Sequence, residues 1–272
     1  MKLEGKVAVV TGGGRGIGKA ISIAFANEGA HLVLAARTET ELESTAAECK
    51  ELGAKVSICQ MDVTDPIQVD KLVGLTLEQF SALDIIVNNA GIIGPVSPLQ
   101  TVTIQDWQRT IDVNLTGIFH CCKSVVPVML NQGHGKIINM SGRGGRHMIA
   151  YGATKEAVVY LTETLALELI DDNIQVNAIS PGSIHTRMWE ETRDFAKIIG
   201  DEDLYETGLR VTTGGGASIE RAAALAVFLA SPASDKLNGR LLRAYSDDFE
   251  SLGSNIDRII NSDTFTMRRV EL

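Results

Sequence analysis

The sequence predicts an α/β fold: a single domain with a doubly wound parallel sheet of about seven strands and helices on both faces. Short, unbroken apolar runs recur along the chain and alternate with stretches whose apolar residues are spaced three or four apart. Such runs are typical of parallel strands buried on both faces, and the stretches between them are typical of the covering helices. The first three runs begin at positions 7, 31 and 55, and each interval of 24 residues accommodates one strand and one helix. No Pro/Ser-rich linker divides residues 1–272, which favours one domain.

This alternation gives the elements in chain order. Strands are predicted at 7–10, 31–36, 55–60, 84–87, 136–140, 174–179 and 240–243, with helices at 17–27, 39–52 and 67–80. Two longer helices are predicted, from about Trp107 to Leu130 and from about Tyr151 to Leu169, because apolar residues hold one face over several turns. Segment 187–216 carries seven acids and little strand character, so we expect it to form a substrate lid.

Composition narrows the classes of partner. Lys and Arg number 25 against 34 Asp and Glu, a net charge of −9, which argues against nucleic acid because phosphate binding needs a basic surface. No signal peptide and no apolar run long enough to span a bilayer are recognised, so we expect a cytoplasmic protein without a membrane partner. The four cysteines lack metal-site spacing, which predicts free thiols and no metal.

A glycine cluster directly follows the first predicted strand and opens the first helix. Its pattern is T-G-x-x-x-G-x-G from Thr11 to Gly18. Glycines there permit a tight turn, and they let backbone amides and the positive helix end approach a pyrophosphate. The position between strand and helix therefore predicts a dinucleotide site. Its candidate residues are Gly12, Gly14, Arg15, Gly16, Ile17 and Gly18.

The end of the second strand indicates which dinucleotide is bound. NAD sites usually carry an acid there for the ribose 2′-hydroxyl, but this strand ends in Ala36, Arg37 and Thr38. Arg37 and Arg15 together suit a 2′-phosphate, since arginine forms bidentate, charge-assisted hydrogen bonds. We therefore predict NADP(H), with NAD(H) as the alternative. The alternative interpretation is that both arginines are solvated loop residues without a ligand.

Tyr151 and Lys155 are four residues apart in a predicted helix, so they share one face. A free tyrosine has a pKa near 10, too high for ready proton exchange at neutral pH, and a nearby ammonium group favours the phenolate. Alone, this spacing is also compatible with an ordinary surface pair.

With these motifs in order, residues 3–232 resemble the short-chain dehydrogenases/reductases, which have a single-domain Rossmann fold. Thr11, Gly12, Gly16 and Gly18 match the glycine motif of that family. The remaining matches are Asp62 and Val63 at the adenine, the turn Asn88, Asn89, Ala90 and Gly91, the catalytic residues Asn114, Tyr151 and Lys155, and Pro181, Gly182, Ile184 and Thr186 at the nicotinamide.

The resemblance implies an NADP(H)-dependent oxidoreductase that transfers hydride between the nicotinamide and a ketone or secondary alcohol. In that chemistry Tyr151 is the general acid or base, and Lys155 binds the nicotinamide ribose and lowers the pKa of Tyr151. Asn114 holds a water that connects Lys155 to solvent, and no metal is needed. The alternative is a regulatory or scaffold protein that binds the dinucleotide but has lost catalysis. The resemblance also implies a homodimer or homotetramer through the two long helices, where Val158, Val159 and Leu161 broaden the apolar stripe.

Two features depart from the family pattern. Alignment of 137–142 with the fifth strand puts Gly142 at the place of the catalytic serine and Ser141 one residue earlier, and the loop to Tyr151 is shorter than usual. We expect Ser141 to move into the vacant place, although it is equally typical of a strand end. The second departure is an atypical C-terminal extension, 244–272, that could cover a neighbouring subunit or the active-site mouth.

Basic residues concentrate around these motifs. Arg143, Arg146 and His147 precede Tyr151, while His185 and Arg187 flank the nicotinamide segment. They could steer an anionic substrate or pair with the acids of segment 187–216, and we favour the pairing.

Overall fold

Seven parallel strands form one sheet in the computed structural model, which describes residues 1–249, 251–252 and 256–267. The strand order is β3-β2-β1-β4-β5-β6-β7. The strands are β1 Val7–Thr11, β2 His31–Ala36, β3 Val56–Gln60, β4 Ile85–Asn88, β5 Gly135–Met140, β6 Ile174–Ser180 and β7 Leu241–Arg243. This arrangement confirms the predicted Rossmann-type sheet, and each predicted strand lies within one residue of the observed one at either end.

Side chains of alternate strand residues build two separate cores, one on each face of the sheet. In β1, Ala8 and Val10 belong to one core and Val9 to the other, as the two-residue period of a strand requires. Each core is then covered by helices, so both faces exclude water. This double burial explains why the strand sequences are apolar without interruption.

Ten helices accompany the sheet in the described part of the chain. On one face lie α1 Gly16–Asn27, α2 Glu39–Glu51 and α9 Ile219–Ala230, and on the other α3 Pro66–Phe80, α5 Gly117–Gln132 and α6 Ile149–Glu168. The others are α4 Ile104–Ile111, α7 Arg187–Ile199, α8 Glu202–Arg210 and the short α10 Ile256–Ile260. The remaining short elements of the described residues are two 3₁₀ turns, Leu99–Thr101 and Pro232–Ser234, and two further turns, Asp112–Thr116 and Val211–Gly215.

The helix predicted from Trp107 to Leu130 is interrupted. A π-helical turn, Asp112–Thr116, separates α4 from α5, and π-helical turns occur often at functional sites. Among the described residues, the combined stretch Ile104–Gln132 is the one helix long and apolar enough to cross a bilayer. Its residues Ile118, Cys121 and Val125 are buried in the core on the sheet, and core helices commonly meet the same criterion.

Segment 187–216 folds into α7, α8 and a turn, Val211–Gly215, and contains no strand. The described part of the C-terminal extension packs against the rest of the same chain. Leu241 N–H of β7 donates to Phe265 O (2.8 Å), and Met267 N–H donates to a carboxylate oxygen of Glu163 in α6 (2.6 Å). Near the site, the extension contributes the Tyr245 ring beside Gly182.

Candidate active site

The predicted site residues lie along the carboxyl edge of the sheet, after β1 to β6. The strand order reverses between β1 and β4, so the loops that follow these two strands diverge and leave a crevice. Open α/β sheets bind their ligands in such a crevice.

The glycine loop is shaped by close backbone contacts. Gly12 has φ +65° and Gly16 has φ +53°, which favour glycine. A Cβ at Gly12 would lie 2.8 Å from Asn89 Nδ2, and one at Gly18 would collide with the carbonyl oxygen of Gly12. The loop is therefore closed to side chains, and the N-terminus of α1 is available to a pyrophosphate.

Thr11 ties this loop to the turn after β4. Its Oγ1 accepts hydrogen bonds from the N–H groups of Asn89 (3.0 Å) and Ala90 (3.1 Å). Asn89 Nδ2 in return donates to Thr11 O (2.9 Å) and Gly12 O (3.2 Å). The glycine motif and the Asn-Asn-Ala-Gly turn thus form one hydrogen-bonded unit.

The segment predicted at the nicotinamide approaches the same loop. A Cβ at Gly16 would lie 3.5 Å from Thr186 Cγ2, so the two segments face each other. Ile184 is buried, Gly182 turns the chain with φ +85°, and Pro181 is half-buried at the end of β6. These residues close one side of the crevice.

A cavity of about 600 Å³ lies near the carboxyl ends of β2 and β3. Arg37 and Asp62 line it, whereas the buried Val63 packs against Gly117. Arg15 instead forms an exposed ion pair with Glu41, with Nη1 3.3 Å from Oε1. The two predicted 2′-phosphate ligands therefore differ, because only Arg15 is already engaged by a carboxylate.

Tyr151 and Lys155 lie in the first two turns of α6. Lys155 Nζ lies 5.6 Å from the centre of the Tyr151 ring, and it donates to Met140 O (2.8 Å) at the end of β5. Burial lowers the pKa of Lys155 to about 8 and raises the pKa of Tyr151 to about 12. The expected lowering of the Tyr151 pKa by Lys155 is therefore not found in the protein alone, because desolvation disfavours both charged forms.

The π-helical turn brings Asn114 to Lys155. Asn114 Oδ1 accepts from Ile92 N–H (2.8 Å) and Nδ2 donates to Ile92 O (2.8 Å), so the amide is held on both sides. A Cβ at Gly91 would lie 3.2 Å from Asn114 Oδ1 and 3.7 Å from Lys155 Nζ. Gly91 thus leaves the space between these two side chains open.

Ser141 is not directed into the catalytic serine's place. It is buried, and its Oγ donates to the carbonyl oxygen of Lys155 (2.9 Å). Because a hydroxyl has one proton, Ser141 has none left for a substrate oxygen in this arrangement. A Cβ at Gly142 would instead lie 2.9 Å from Tyr151 Oη, which corrects the expectation that Ser141 occupies the vacant place.

The basic residues near the site mostly pair with acids of segment 187–216. His147 pairs with Asp201, His185 with Glu190 and Arg187 with Glu191. Arg143 and Arg146 are exposed. Pairing therefore accounts for three of the five basic residues. Within the described residues, no group of three or more His, Cys, Asp or Glu side chains is arranged for a metal.

Sequence reasoning missed several parts of the site. The carbonyl oxygens of Met140 and Ile92 hold Lys155 and Asn114, but backbone acceptors carry no sequence signal. Thr154, which receives a 3.4 Å hydrogen bond from Asn114, could have been found because it adjoins Lys155. Asp201 was included only among the acids of the lid.

Comparisons with known proteins agree with this geometry. The profile of the family described as short chain dehydrogenase matches residues 6–197. The chain is 36% identical to a 3-oxoacyl-(acyl-carrier-protein) reductase of Thermotoga maritima, over 89% of this chain and 97% of that one. It is 34% identical to a sorbitol dehydrogenase of Cereibacter sphaeroides, over 86% and 94% of the two chains.

A solved structure gives the same result. The crystal structure of NAD⁺-bound xylitol dehydrogenase superimposes with a TM-score of 0.84 at 32% identity, covering 89% of this chain and 98% of that one. The chain therefore belongs to the short-chain dehydrogenase family. It is an oxidoreductase of the short-chain type that acts on ketones or alcohols, and its family binds NAD(H) or NADP(H).

Proposed function

We propose that this protein is an NADP(H)-dependent oxidoreductase that interconverts a ketone and a secondary alcohol, with Tyr151 as general acid in reduction and general base in oxidation. The observation that carries the proposal is the convergence of Tyr151, Lys155 and Asn114 beside the glycine loop. The names of the relatives, a 3-oxoacyl reductase and a sorbitol dehydrogenase, support a carbonyl or alcohol substrate.

When bound, the dinucleotide would supply or accept the hydride, and the protein's residues would donate or accept the proton. With a pKa raised by burial to about 12, Tyr151 is neutral at pH 7, the form that donates a proton to a reduced carbonyl oxygen. Lys155 has one acceptor at Met140, which leaves further N–H donors for the ribose hydroxyls. Asn114, held by Ile92, would position a water that connects Lys155 to solvent.

The crevice fits a dinucleotide because the glycine loop is free of side chains and faces the N-terminus of α1. Gly12, Gly14, Arg15, Gly16, Ile17, Gly18, Arg37, Asp62, Val63, Asn89, Ala90, Gly91, Pro181, Gly182, Ile184 and Thr186 would hold it together with Tyr151 and Lys155. Arg37 supports NADP(H), since it lines the cavity beside Asp62 and the end of β2, at Ala36, Arg37 and Thr38, carries no acid. We assign Ser141 a positioning role through the backbone of Lys155 and no role as a donor to the substrate.

The second candidate is a dinucleotide-binding regulator with impaired catalysis, which Gly142 at the place of the catalytic serine favours. The test is oxidation of NADPH with a panel of ketones and diketones. We expect turnover, abolished in Tyr151→Phe and retained in the matched variant Tyr160→Phe, whose ring is 68% exposed on the same helix. Cofactor binding without turnover of any compound would favour the regulator.

We also propose a homodimer or homotetramer through α5 and α6. Of the three residues that the sequence assigned to this surface, Val158 and Val159 are buried in the chain's own core and Leu161 is half-buried against it. The support comes instead from Phe119, Tyr160 and Leu167, which are exposed on these helices. The four cysteines are free, which supports a reducing compartment such as the cytoplasm.

A further inference from the structure

One polar contact joins the loop before Tyr151 to the lid. His147 Nδ1 lies 2.8 Å from Asp201 Oδ2, and the two side chains are 20% and 5% exposed. His147 lies two residues before α6, while Asp201 lies between α7 and α8. The pair therefore connects two segments that are 54 residues apart in the chain.

The backbone around His147 fixes the direction of its side chain. His147 has φ +63°, a left-handed conformation that few residues other than glycine adopt. Its carbonyl oxygen accepts from Ser97 N–H (2.8 Å), and the next carbonyl, that of Met148, accepts from Gly152 N–H (2.9 Å). The imidazole is thus presented to the lid from a loop that is itself anchored to the first turn of α6.

Asp201 lies in the short connection between α7 and α8, the two helices of the lid. Its N–H donates to Ala196 O at the end of α7 (3.0 Å), and its Oδ1 accepts from Leu204 N–H at the start of α8 (3.1 Å). This second contact is an N-cap. The other carboxylate oxygen binds His147, so one side chain both starts a helix and attaches that helix to the body of the protein.

Among the residues that the structure describes, no other hydrogen bond or ion pair of a side chain or backbone group in segment 187–215 reaches the rest of the protein beyond the residues next to it in the chain. The remaining hydrogen bonds and ion pairs of segment 187–215 stay within residues 185–216. Beside the pair lies a small apolar cluster that includes the ring of Tyr151. Its members are Ile93, Val96, Met148, Tyr151, Met188, Ile199 and Leu204.

We propose that His147 is a positioning residue that fastens the lid over Tyr151 through Asp201. The contact holds α7 and α8 on the apolar cluster, and a closed lid excludes water from the carbonyl during hydride transfer. Loss of this contact detaches the connection between α7 and α8 from His147, while the sheet and the glycine loop keep their own contacts. This proposal rests on the proposed function only in one respect, which is that the lid covers a carbonyl substrate at Tyr151.

Hydrogen exchange of the full-length protein tests the proposal without any turnover. His147→Asn keeps a residue that tolerates the left-handed backbone, and Asp201→Asn keeps a good N-cap. Each is expected to accelerate exchange in α7 and α8 by roughly tenfold, the effect of losing one hydrogen bond to a charged group, with unchanged exchange in β1 and β4. The double variant should exchange no faster than either single variant.

Asp203→Asn is the matched control, because Asp203 lies in the first turn of α8 and is exposed. Its exchange should equal that of the wild type. Wild-type exchange of the lid in both His147→Asn and Asp201→Asn, or acceleration that is uniform over the whole chain, overturns the proposal. If a reducible ketone is found, KM for that ketone should rise more than kcat falls. A protein with no turnover but with selective lid exchange would refute the proposed function and keep the fastened lid.

Discussion

Gly142 lies directly against Tyr151: a Cβ at Gly142 would be 2.9 Å from the phenolic oxygen. A side chain at position 142 would therefore force either its own backbone or the Tyr151 ring to move. By the alignment of residues 137–142, Gly142 is expected at the place of the family's catalytic serine. That position has no room for a side chain while Tyr151 keeps its present place.

The first prediction concerns this contact. Gly142→Ala should displace Tyr151 Oη and lower kcat at least tenfold, whereas Gly142→Ser should recover part of the loss because its hydroxyl donates to the alkoxide. Gly145→Ala is the control, since its Cβ would meet only Met148 Sδ, at 3.5 Å. Steady-state kinetics with NADPH and one ketone provide the measurement. Full activity in Gly142→Ala would show that Tyr151 tolerates the added methyl group.

The second prediction distinguishes two roles for Ser141, which are to position Lys155 or to donate a hydrogen bond to the substrate. Ser141→Ala removes a buried hydrogen bond to Lys155 O and should cost about 1 kcal/mol of stability with kcat changed by less than about threefold. Ser231→Ala removes a similar bond to Phe228 O, far from the site, and should cost about as much. Urea unfolding and kcat are measured together. A loss in kcat of about 10²–10³ would make Ser141 an oxyanion donor after all.

The third prediction is cofactor preference. Arg37→Asp should weaken NADPH binding by about 1.5–3 kcal/mol, roughly 10- to 100-fold, with NADH less affected. Arg15→Ala should have the smaller effect, because Glu41 already competes for its guanidinium. Calorimetric titration with both cofactors provides the values. Equal kcat/KM for NADPH and NADH in the wild type would refute the preference.

The fourth prediction follows from the buried ammonium group of Lys155. Its pKa is about 8 in the fold against an ordinary 10.5. The unfolded chain therefore binds more protons between these values, and this group makes the free energy of unfolding rise with pH from about 8 to 10.5. At neutral pH the buried charge costs about 3 kcal/mol, so Lys155→Met should gain roughly 2 kcal/mol after loss of the bond to Met140.

Thermal unfolding of the cofactor-free protein at pH 7 and pH 9.5 measures this effect. The advantage of Lys155→Met should be complete below pH 8 and smaller at the higher pH. The same variant should lose activity. An unstable Lys155→Met protein at pH 7 would mean that the ammonium group stabilises the fold.

The fifth prediction concerns assembly. Leu167→Glu puts a charge on a side chain that is 69% exposed on α6 and should convert the oligomer to a monomer. Ile198→Glu, on the exposed face of α7 at 78% exposure, is the control and should leave the assembly intact. Light scattering at micromolar concentration distinguishes the two. A monomeric wild type would contradict the interface.

The strands could be predicted closely because burial on both faces demands unbroken apolar runs, as in β1 and β4. The glycine loop could also be predicted, since its glycines directly follow the first apolar run and precede a helical pattern. The π-helical turn at Asn114 could not, because the spacing from Ile111 to Leu115 and Ile118 also suits a continuous α-helix. The hydrogen bond of Ser141 to Lys155 O could not be predicted either, because it depends on the local backbone conformation after β5. The contact of His147 with Asp201 could not be predicted because the two residues are 54 positions apart in the chain.

The outer edge of β7 carries a further consequence. Leu241 N–H is satisfied by Phe265 O, and the Arg240 guanidinium binds the carbonyl oxygens of Ile259, Ile260 and Ser262 at the end of α10. An open strand edge is a template on which another chain can add a strand. Here the chain's own extension occupies that template, so the sheet ends within the molecule. The extension thereby works against edge-to-edge aggregation of a sheet whose last strand would otherwise be exposed.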